Sequence, residues 1–473
     1  MATTEPTLGM LQLAHTPVRL PGAISSPSTY DFPVRYQQVP GAWTKNVIGP
    51  DNEIHKAYIA AARAMEKDGI AAITSNCGFT ARFQKEVAAA VSIPVALSSL
   101  LLVQFMARIV PPGKKLGVLT YDAKQLGDVH FNGAGWSQKN LPVVVGGIEG
   151  SESWVEMVKP DPKCTVAMLE RDVVAAARKL RATHPDIAML VLECSAFPIA
   201  AAAVRRETGL PTVDFSTLQR IIMDAVTPRR QWLKRRTQTT DPLAILRLNN
   251  DPIQLDGAIT RDDSFPYPVR YMMVPSAYVE NVTKGDKSVE GDYIRCAKEL
   301  IGQGARAVIT TCGFTSILQK GISAALDVPV ATSSLLLAPF VLSLIPPGST
   351  LAILTFDSTR LSPAHCEAAG FSMSDSPIAV AGVEGTESWR AMCRPANDVT
   401  YAGLEEDVMG ALNRLRAKHT NIRAVLLECA VFPIVADAIR AKTKLPVFDF
   451  MALGDIVMTS IAGGAAAKRV AAE

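Results

Sequence analysis

The sequence predicts an α/β protein that consists of two tandem copies of one unit, with mainly parallel sheets. Three observations predict this fold class: motifs that recur at one constant offset, short apolar runs of strand length, and segments of helical periodicity between those runs. The chain has 473 residues, of which 48% are hydrophobic and 20% are charged. This length and composition are typical of a globular protein with more than one domain.

An internal duplication is the clearest feature of the chain. Each repeated motif returns 235 residues later: Phe32–Tyr36 as Tyr267–Tyr271, Asn76–Thr80 as Thr311–Thr315, Glu149–Trp154 as Glu384–Trp389, and Leu192–Cys194 as Leu427–Cys429. The offset predicts an N-terminal tail (1–7), copy 1 (8–226), a linker (227–242), copy 2 (243–461) and a C-terminal tail (462–473). Since closed homodimers are common, we expect the copies to form a pseudo-dimer within one chain, with further oligomerisation open.

Within copy 1, apolar runs of strand length alternate with helical patterns. The runs are 69–74, 93–97, 116–120, 142–145, 187–192 and 211–214. Such runs are typical of strands that are buried on both faces. Between them, 166–182 has apolar residues at spacings of three and four, as a covering helix requires. Because ligands of parallel α/β sheets bind at the carboxyl ends of strands, the residues directly after these runs are the candidates for function.

Four of the eight cysteines follow predicted strands and are retained in both copies. Cys77 and Cys194 stand in copy 1, and Cys312 and Cys429 are their counterparts in copy 2. The other four cysteines each match a different residue type in the opposite copy. Cysteine is therefore expected to act as a free thiol, with neither a disulfide framework nor a zinc pair.

Each retained cysteine precedes a segment with a helical pattern, so its sulfur is expected beside free backbone N–H groups. Such groups lower a thiol pKa and also bind a carboxylate or an oxyanion. Two thiols that face each other across a crevice remove a proton from one face of a carbon and return one to the other. This chemistry needs neither a metal nor another cofactor, and we expect none.

The motifs that carry these thiols resemble the aspartate/glutamate/hydantoin racemase superfamily. The resemblance rests on 74–80, Ser98-Ser99, 117–122 and 191–194, together with their counterparts 310–315, Ser333-Ser334, 352–357 and 426–429. It covers both copies almost end to end. It implies two Rossmann-like lobes per copy, with one cysteine from each lobe.

The resemblance also implies which residues bind the substrate. The catalytic residues are expected to be Cys77, Cys194, Cys312 and Cys429, and the substrate-binding residues Gly78, Phe79, Thr80, Ser98, Ser99, Ser195, Gly313, Phe314, Thr315, Ser333 and Ser334. Amino-acid racemases of this superfamily have Asn-Thr after the first cysteine and Thr after the second. Here Gly-Phe follows the first cysteine of each copy, so we expect a more apolar pocket than one that binds aspartate. For Ser98 and Ser99, helix capping is an equally good interpretation.

Other polar candidates have simpler interpretations. Glu193 and Glu428 each directly precede the second thiol of their copy. Because neighbouring residues on a strand point in opposite directions, we assign both a structural role. His184 is interpreted as a helix C-cap and His130 as a surface or packing residue. Arg35 forms either an exposed ion pair or a carboxylate clamp.

Composition excludes several classes of partner. Lys and Arg total 48 against 45 for Asp and Glu, and a net charge of +3 is too small to favour nucleic acid or an anionic membrane. The one basic cluster, 229–236, is interpreted as a solvated linker face. With no secretory signal and no apolar run near ~20 residues, we expect a cytoplasmic protein whose thiols are reduced.

The leading hypothesis is a cofactor-independent racemase or epimerase that acts at a carbon next to a carboxylate or carbonyl of a small molecule. One thiolate abstracts the proton and the opposing thiol reprotonates the carbon. A maleate-like cis–trans isomerase with a nucleophilic cysteine is the first alternative. The second is a non-catalytic protein that binds a small molecule on the same scaffold.

Overall fold

A computed structural model describes residues 5–49, 53–229 and 239–462 of the chain. The described residues form two compact units. Unit 1 comprises residues up to 223 with 343–347 and those after 458, and unit 2 comprises 224–342 and 348–458. Most of the basic cluster 229–236 lies outside the described residues, as does the middle of the predicted linker.

Unit 1 contains two parallel sheets. Its strands are β1 (Leu8–Gln12), β2 (Val34–Gln38), β3 (Ala72–Ser75), β4 (Val95–Ala96), β5 (Lys115–Thr120), β6 (Val143–Gly147), β7 (Ile187–Leu192) and β8 (Thr212–Val213). In the described residues they form two four-stranded sheets, ordered β2-β1-β3-β4 and β6-β5-β7-β8, and every neighbouring pair is parallel. Each sheet is the core of one lobe.

Helices cover both sheets, as the alternation of patterns predicts. The α-helices described up to residue 226 are α1 (Thr44–Ile48), α2 (His55–Lys67), α3 (Gln84–Ala89), α4 (Val103–Ile109), α5 (Asp128–Gly133), α6 (Glu152–Met157), α7 (Val166–Thr183), α8 (Ala201–Thr208) and α9 (Phe215–Val226). In α7, Leu169, Val173, Ala177 and Leu180 form the buried face at helical spacing. The Thr165 side chain caps its first turn by accepting the Met168 N–H.

Unit 2 repeats the architecture. Its strands are β9 (Leu243–Arg247), β10 (Val269–Met273), β11 (Ala307–Thr310), β12 (Val330–Ala331), β13 (Thr350–Thr355), β14 (Ile378–Gly382), β15 (Ile422–Leu427) and β16 (Val447–Phe448). The α-helices described from residue 239 onwards are α10 (Val279–Thr283), α11 (Glu290–Gly302), α12 (Gln319–Ala324), α13 (Ala338–Leu344), α14 (Pro363–Ala368), α15 (Glu387–Cys393), α16 (Tyr401–Lys418), α17 (Ala436–Thr443) and α18 (Phe450–Ile461). The sheets are ordered β10-β9-β11-β12 and β14-β13-β15-β16.

These sheets confirm the predicted fold class, with two lobes and two parallel sheets for each copy of the repeat. The central strands β1 and β9 are buried over most of their length, whereas β2 and β10 are half-exposed edge strands. In the part of the chain that the structure describes, no helix combines the length and the apolar character needed to cross a bilayer.

Candidate active site

In each unit, one cavity lies at the carboxyl ends of central strands from both sheets. In unit 1 it is lined by residues that follow β1, β3, β5 and β7, among them Leu13, Asn76, Cys77, Tyr121, Glu193 and Cys194. In unit 2 the corresponding lining includes Leu248, Thr311, Cys312, Phe356, Glu428 and Cys429. The strand ends of two lobes therefore meet around one small space, as parallel sheets favour.

Cys77 is the last residue before a 3-10 helix, Gly78–Phe83, and it contributes to the first side of the cavity. The backbone N–H groups of Phe79 and Thr80 donate to its sulfur, as the sequence predicts. These bonds lower the thiol pKa, but burial and the neighbouring Glu193 outweigh them and raise it to about 12. The expectation of a lowered pKa is therefore wrong for the free site, where Cys77 is a neutral thiol.

Cys194 lies in the same cavity, on the segment that follows β7. The Ala196 N–H donates to its sulfur, whereas burial, Glu193 and Cys77 all raise the thiol pKa. Cys312 and Cys429 repeat this arrangement in unit 2, where Cys312 raises the pKa of Cys429. All four cysteines are free and buried. The two predicted thiols of each copy thus share one cavity and interact electrostatically.

Glu193 and Glu428 also line the cavities, contrary to the structural role assigned from strand alternation. That reasoning does not hold here because β7 ends at Leu192 and β15 ends at Leu427, one residue before each glutamate. The Glu193 side chain is fully buried, and its Oε2 accepts the Thr120 hydroxyl at 2.7 Å. Burial raises the pKa of both carboxyls to about 7.

The glycine after the first cysteine has a steric function. A Cβ on Gly78 would stand 2.0 Å from the Oε1 of Glu193, and a Cβ on Gly313 would stand 2.1 Å from the Oε1 of Glu428. A Cβ would also stand 2.5 Å from the backbone carbonyl oxygen of Glu193 and 2.3 Å from that of Glu428, so both the carboxyl and the backbone of the glutamate require glycine here. The glycine after the first cysteine therefore leaves room for the buried acid and for the backbone segment that carries it.

Other predicted substrate-binding residues divide into two groups. Gly78, Phe79 and Ser195 line the cavity of unit 1, and Gly313 and Phe314 line that of unit 2. The remaining predicted residues are not among the lining residues of either cavity and are fully buried: Thr80, Ser98, Ser99, Thr315, Ser333 and Ser334.

The hydroxyls of this second group bond to the backbone. Ser98 caps the 3-10 helix Ser99–Leu102 by accepting the Leu100 N–H, so capping is the interpretation that applies. Ser99 donates to the Leu192 carbonyl at 2.9 Å and so joins its own helix to the end of β7. The Thr80 hydroxyl lies 2.6 Å from the Cys77 carbonyl oxygen. These residues hold the thiol-bearing segments in place.

The two cavities differ at many of their lining positions. Asn76 of unit 1 corresponds to Thr311 of unit 2, and each side chain accepts the N–H of an equivalent leucine, Leu13 or Leu248. Asn397, which has a φ of +47°, lines only the cavity of unit 2, where a buried Oδ1 has no hydrogen-bond partner among the described residues. The sites therefore have the same thiols and carboxyl but different peripheral polar groups.

The remaining candidates have structural positions. His130 is buried, and its ring contacts the Phe79 ring edge-on with the centroids 5.1 Å apart. Burial lowers the pKa of His130 to about 4, so it is neutral at pH 7. His184 caps the C-terminus of α7, as predicted. Arg35 forms an exposed ion pair with Asp68.

Comparisons with known proteins give relatives of two kinds. No family model matches the chain. A dimethylsulfoniopropionate lyase from Durusdinium sp. clade D is 29% identical over 218 residues, which cover 44% of this chain and 71% of that protein. Dimethylsulfoniopropionate lyase 5 from Emiliania huxleyi is 22% identical over 448 residues, which cover 85% of this chain and 88% of that protein.

Solved structures with partial likeness include an unliganded arylmalonate decarboxylase (TM-score 0.30, 19% identity, 45% of this chain and 88% of that chain). An aspartate racemase from Picrophilus torridus has a TM-score of 0.30 and 12% identity over 48% of this chain and 98% of that chain. In sequence the chain is similar to dimethylsulfoniopropionate lyases. Its own sheets show the two-lobed, duplicated α/β fold that the sequence predicts.

Proposed function

We propose that each unit is a cofactor-independent enzyme in which a cysteine thiolate removes a proton from the carbon next to the carboxylate of a small molecule. The carbanion then expels a leaving group from the neighbouring carbon. The observation that carries this proposal is the presence, in both units, of two thiols and a buried carboxyl around one cavity. The named activity of the sequence relatives supports an enzyme of the lyase class.

The surroundings of the thiols suit a carbon acid. Proton abstraction next to a carboxylate places negative charge on the carboxylate oxygens, and backbone N–H groups stabilise such charge. Backbone N–H groups lie beside both sulfurs: those of Phe79 and Thr80 donate to Cys77, and that of Ala196 donates to Cys194. A thiolate that is poorly solvated in a buried site is also a stronger base towards carbon than a thiolate in water.

Elimination accounts for the whole reaction without a cofactor. Dimethylsulfoniopropionate carries a sulfonium group on the carbon β to its carboxylate. The thiolate takes the α proton, the C–H electron pair becomes the new C=C bond, and the C–S bond breaks with its electron pair on sulfur. The products are dimethyl sulfide, acrylate and one proton.

Racemisation is a second candidate, because a second thiol shares each cavity. Elimination needs one base, whereas inversion at a carbon needs a base on one face and an acid on the other. The coupling of Cys194 to Cys77 and of Cys429 to Cys312 favours this use of the pair.

The deciding experiment incubates the full chain with dimethylsulfoniopropionate and measures dimethyl sulfide in the headspace and acrylate in solution. In parallel, chiral 2-substituted carboxylates are incubated in D₂O, and deuterium at the α carbon and loss of optical rotation are followed. Equal amounts of sulfide and acrylate support the lyase, and exchange with racemisation supports the second candidate. A covalent substrate–cysteine adduct without either reaction would contradict both and favour the cis–trans isomerase.

A further inference from the structure

In the carboxyls of Glu193 and Glu428, one oxygen is hydrogen-bonded and the other is not. Both side chains are fully buried. In each, Oε2 accepts a threonine hydroxyl at 2.7 Å, from Thr120 in unit 1 and Thr355 in unit 2. In each, Oε1 has no hydrogen-bond partner among the described residues. A buried polar atom without a partner costs free energy, so its repetition in both units indicates a use.

The unpartnered oxygen is directed at the thiol-bearing segment. Oε1 of Glu193 lies 2.0 Å from the point where a Cβ of Gly78 would stand, which places it beside the residue that follows Cys77. Glu193 itself directly precedes Cys194. The carboxyl is therefore close to both thiols and lines the same cavity.

The charges around this carboxyl are those of the thiols. In unit 1 the titratable groups that interact with it are Cys77 and Cys194, and these in turn interact with Tyr58 and Tyr121. In unit 2 they are Cys312, Cys429 and Cys366, and Cys312 also interacts with Tyr293. Each of these groups is neutral when protonated and negative when deprotonated. Because like charges repel in a buried site, the cavity is best suited to a single negative charge.

We propose that Glu193 in unit 1 and Glu428 in unit 2 accept the proton of the reacting thiol through their unpartnered Oε1. The S–H bond breaks, its electron pair stays on sulfur, and the proton passes through one bridging water molecule to Oε1, because Oε1 has no direct hydrogen bond to either thiol among the described residues. The net charge of the cavity does not change, so no charge is added to a buried site. The thiolate then takes the substrate proton and becomes a thiol again, and the carboxylic acid releases its proton to water after the product leaves.

This inference deepens the proposed function, because it supplies the thiolate that the function requires. It also explains how thiols with raised pKa values react near neutral pH. The carboxyl titrates at about pH 7 and the thiols far above, so between these values the pair holds one proton in two locations. Above about pH 7 the fraction of the form with a thiolate and a neutral carboxylic acid is constant with pH, whereas the form that has lost both protons still rises tenfold per unit.

Alkylation by iodoacetamide tests the proposed proton transfer from thiol to carboxylate without any substrate. The rate of alkylation of Cys77 and Cys194 is measured by peptide mass spectrometry from pH 5 to 10 on the full chain. We expect the rate to rise tenfold per pH unit up to about pH 7, to rise less steeply just above it, and to steepen again once the form that has lost both protons dominates. In E193Q, which cannot accept a proton, the rate is expected to keep rising tenfold per unit. A wild-type rate that rises through pH 7 without a break would overturn the proposal.

A second variant tests the same point with the glutamate intact. T120V removes the hydroxyl that stabilises the carboxylate, and valine matches threonine in shape. We expect the break in the alkylation profile to move to higher pH, and a break that does not move would contradict the proposal. The matched control is E86Q, on the exposed part of α3, which should leave the profile unchanged.

Turnover provides the link to the reaction. If the proposed function holds, E193Q/E428Q should lower kcat by about 100-fold with little change in KM, as loss of a proton acceptor does. If the alkylation profile shows the break but the chain has neither lyase nor racemase activity, the proposed thiol–carboxyl pair stands and only the proposed function is contradicted. Turnover that rises in E193Q/E428Q would show that the carboxylates only repel the thiolate and would overturn the proposal.

Discussion

The carboxyl and the backbone carbonyl oxygen of Glu193 both occupy the space that a side chain at position 78 would need, so position 78 requires glycine. The same relationship holds between Glu428 and Gly313. We therefore predict that G78A/G313A displaces both carboxyls. Overpacking of this kind costs about 1–3 kcal/mol of stability for each site, and misplacing the carboxyl should lower turnover at least tenfold.

Denaturant unfolding and steady-state kinetics test this prediction. Gly127 and Gly291 are the matched controls, since a Cβ on either meets no atom within 4 Å. G127A and G291A should retain stability and turnover. If G78A/G313A behaves as these controls do, the carboxyls are not held against the glycines.

The retained cysteines carry the second prediction. We expect C77S/C312S to abolish turnover, because each unit loses a thiol of its cavity, whereas C77S alone should leave the contribution of unit 2. Initial rates measure both effects, with the substrate that is turned over in the experiment described under the proposed function. Cysteines that have no cysteine counterpart in the other copy provide matched controls. C296A introduces the residue type of Ala61, and C164V introduces that of Val399. Full activity in C77S/C312S would exclude these thiols from the reaction.

Stability should depend on pH through Glu193. Its folded pKa, about 7, lies above the ordinary value of 4.5, so the folded state binds more protons than the unfolded state between these values. The stabilising effect is fully present below pH 4.5 and is lost as pH rises to 7, by about 3 kcal/mol for each carboxyl. His130 has the opposite effect, since its pKa is lowered to about 4 and its stabilisation is lost as pH falls below 6.5.

Comparing E193Q with the wild type isolates the carboxyl from His130 and from other groups. We expect the free energy of unfolding of E193Q, relative to wild type, to increase between pH 4.5 and 7 and to be constant above. Urea unfolding at half-unit pH intervals measures this difference. A difference that does not change with pH would mean that Glu193 titrates at its ordinary pKa in the folded chain.

The sequence predicts the fold and the thiols well because both leave strong local patterns. Buried strands such as β7 are nearly continuous apolar runs, and a repeat identifies which cysteines are retained. Neither β1 nor β2 is predicted: β1 is a five-residue run that includes Gly9 and Gln12, and β2 is half-exposed and mostly polar, so it resembles a loop. The position of Glu193 depends on the strand ending at Leu192, one residue earlier than alternation assumes. The pairing of Gly78 with Glu193, which are far apart in sequence, would have been the signal that identified it.

The differences between the two cavities lead to the last prediction. N76T/S195A gives unit 1 the residues that unit 2 has at Thr311 and Ala430. Threonine at 311 accepts the Leu248 N–H at 3.2 Å, as Asn76 accepts the Leu13 N–H at 2.9 Å, so the substitution should keep the loop bond and cost less than about 0.5 kcal/mol.

The effect should instead be on substrate preference. In a C312S/C429S background, only unit 1 turns over, and we expect N76T/S195A to leave kcat within about threefold while KM rises most for substrates with a hydroxyl or amino group. The reason is that Ser195 and Asn76 are among the polar residues that line the cavity of unit 1, and a substrate donor that loses its partner costs about 1–3 kcal/mol. Equal changes in KM for apolar and polar substrates would mean that these residues do not contact the substrate.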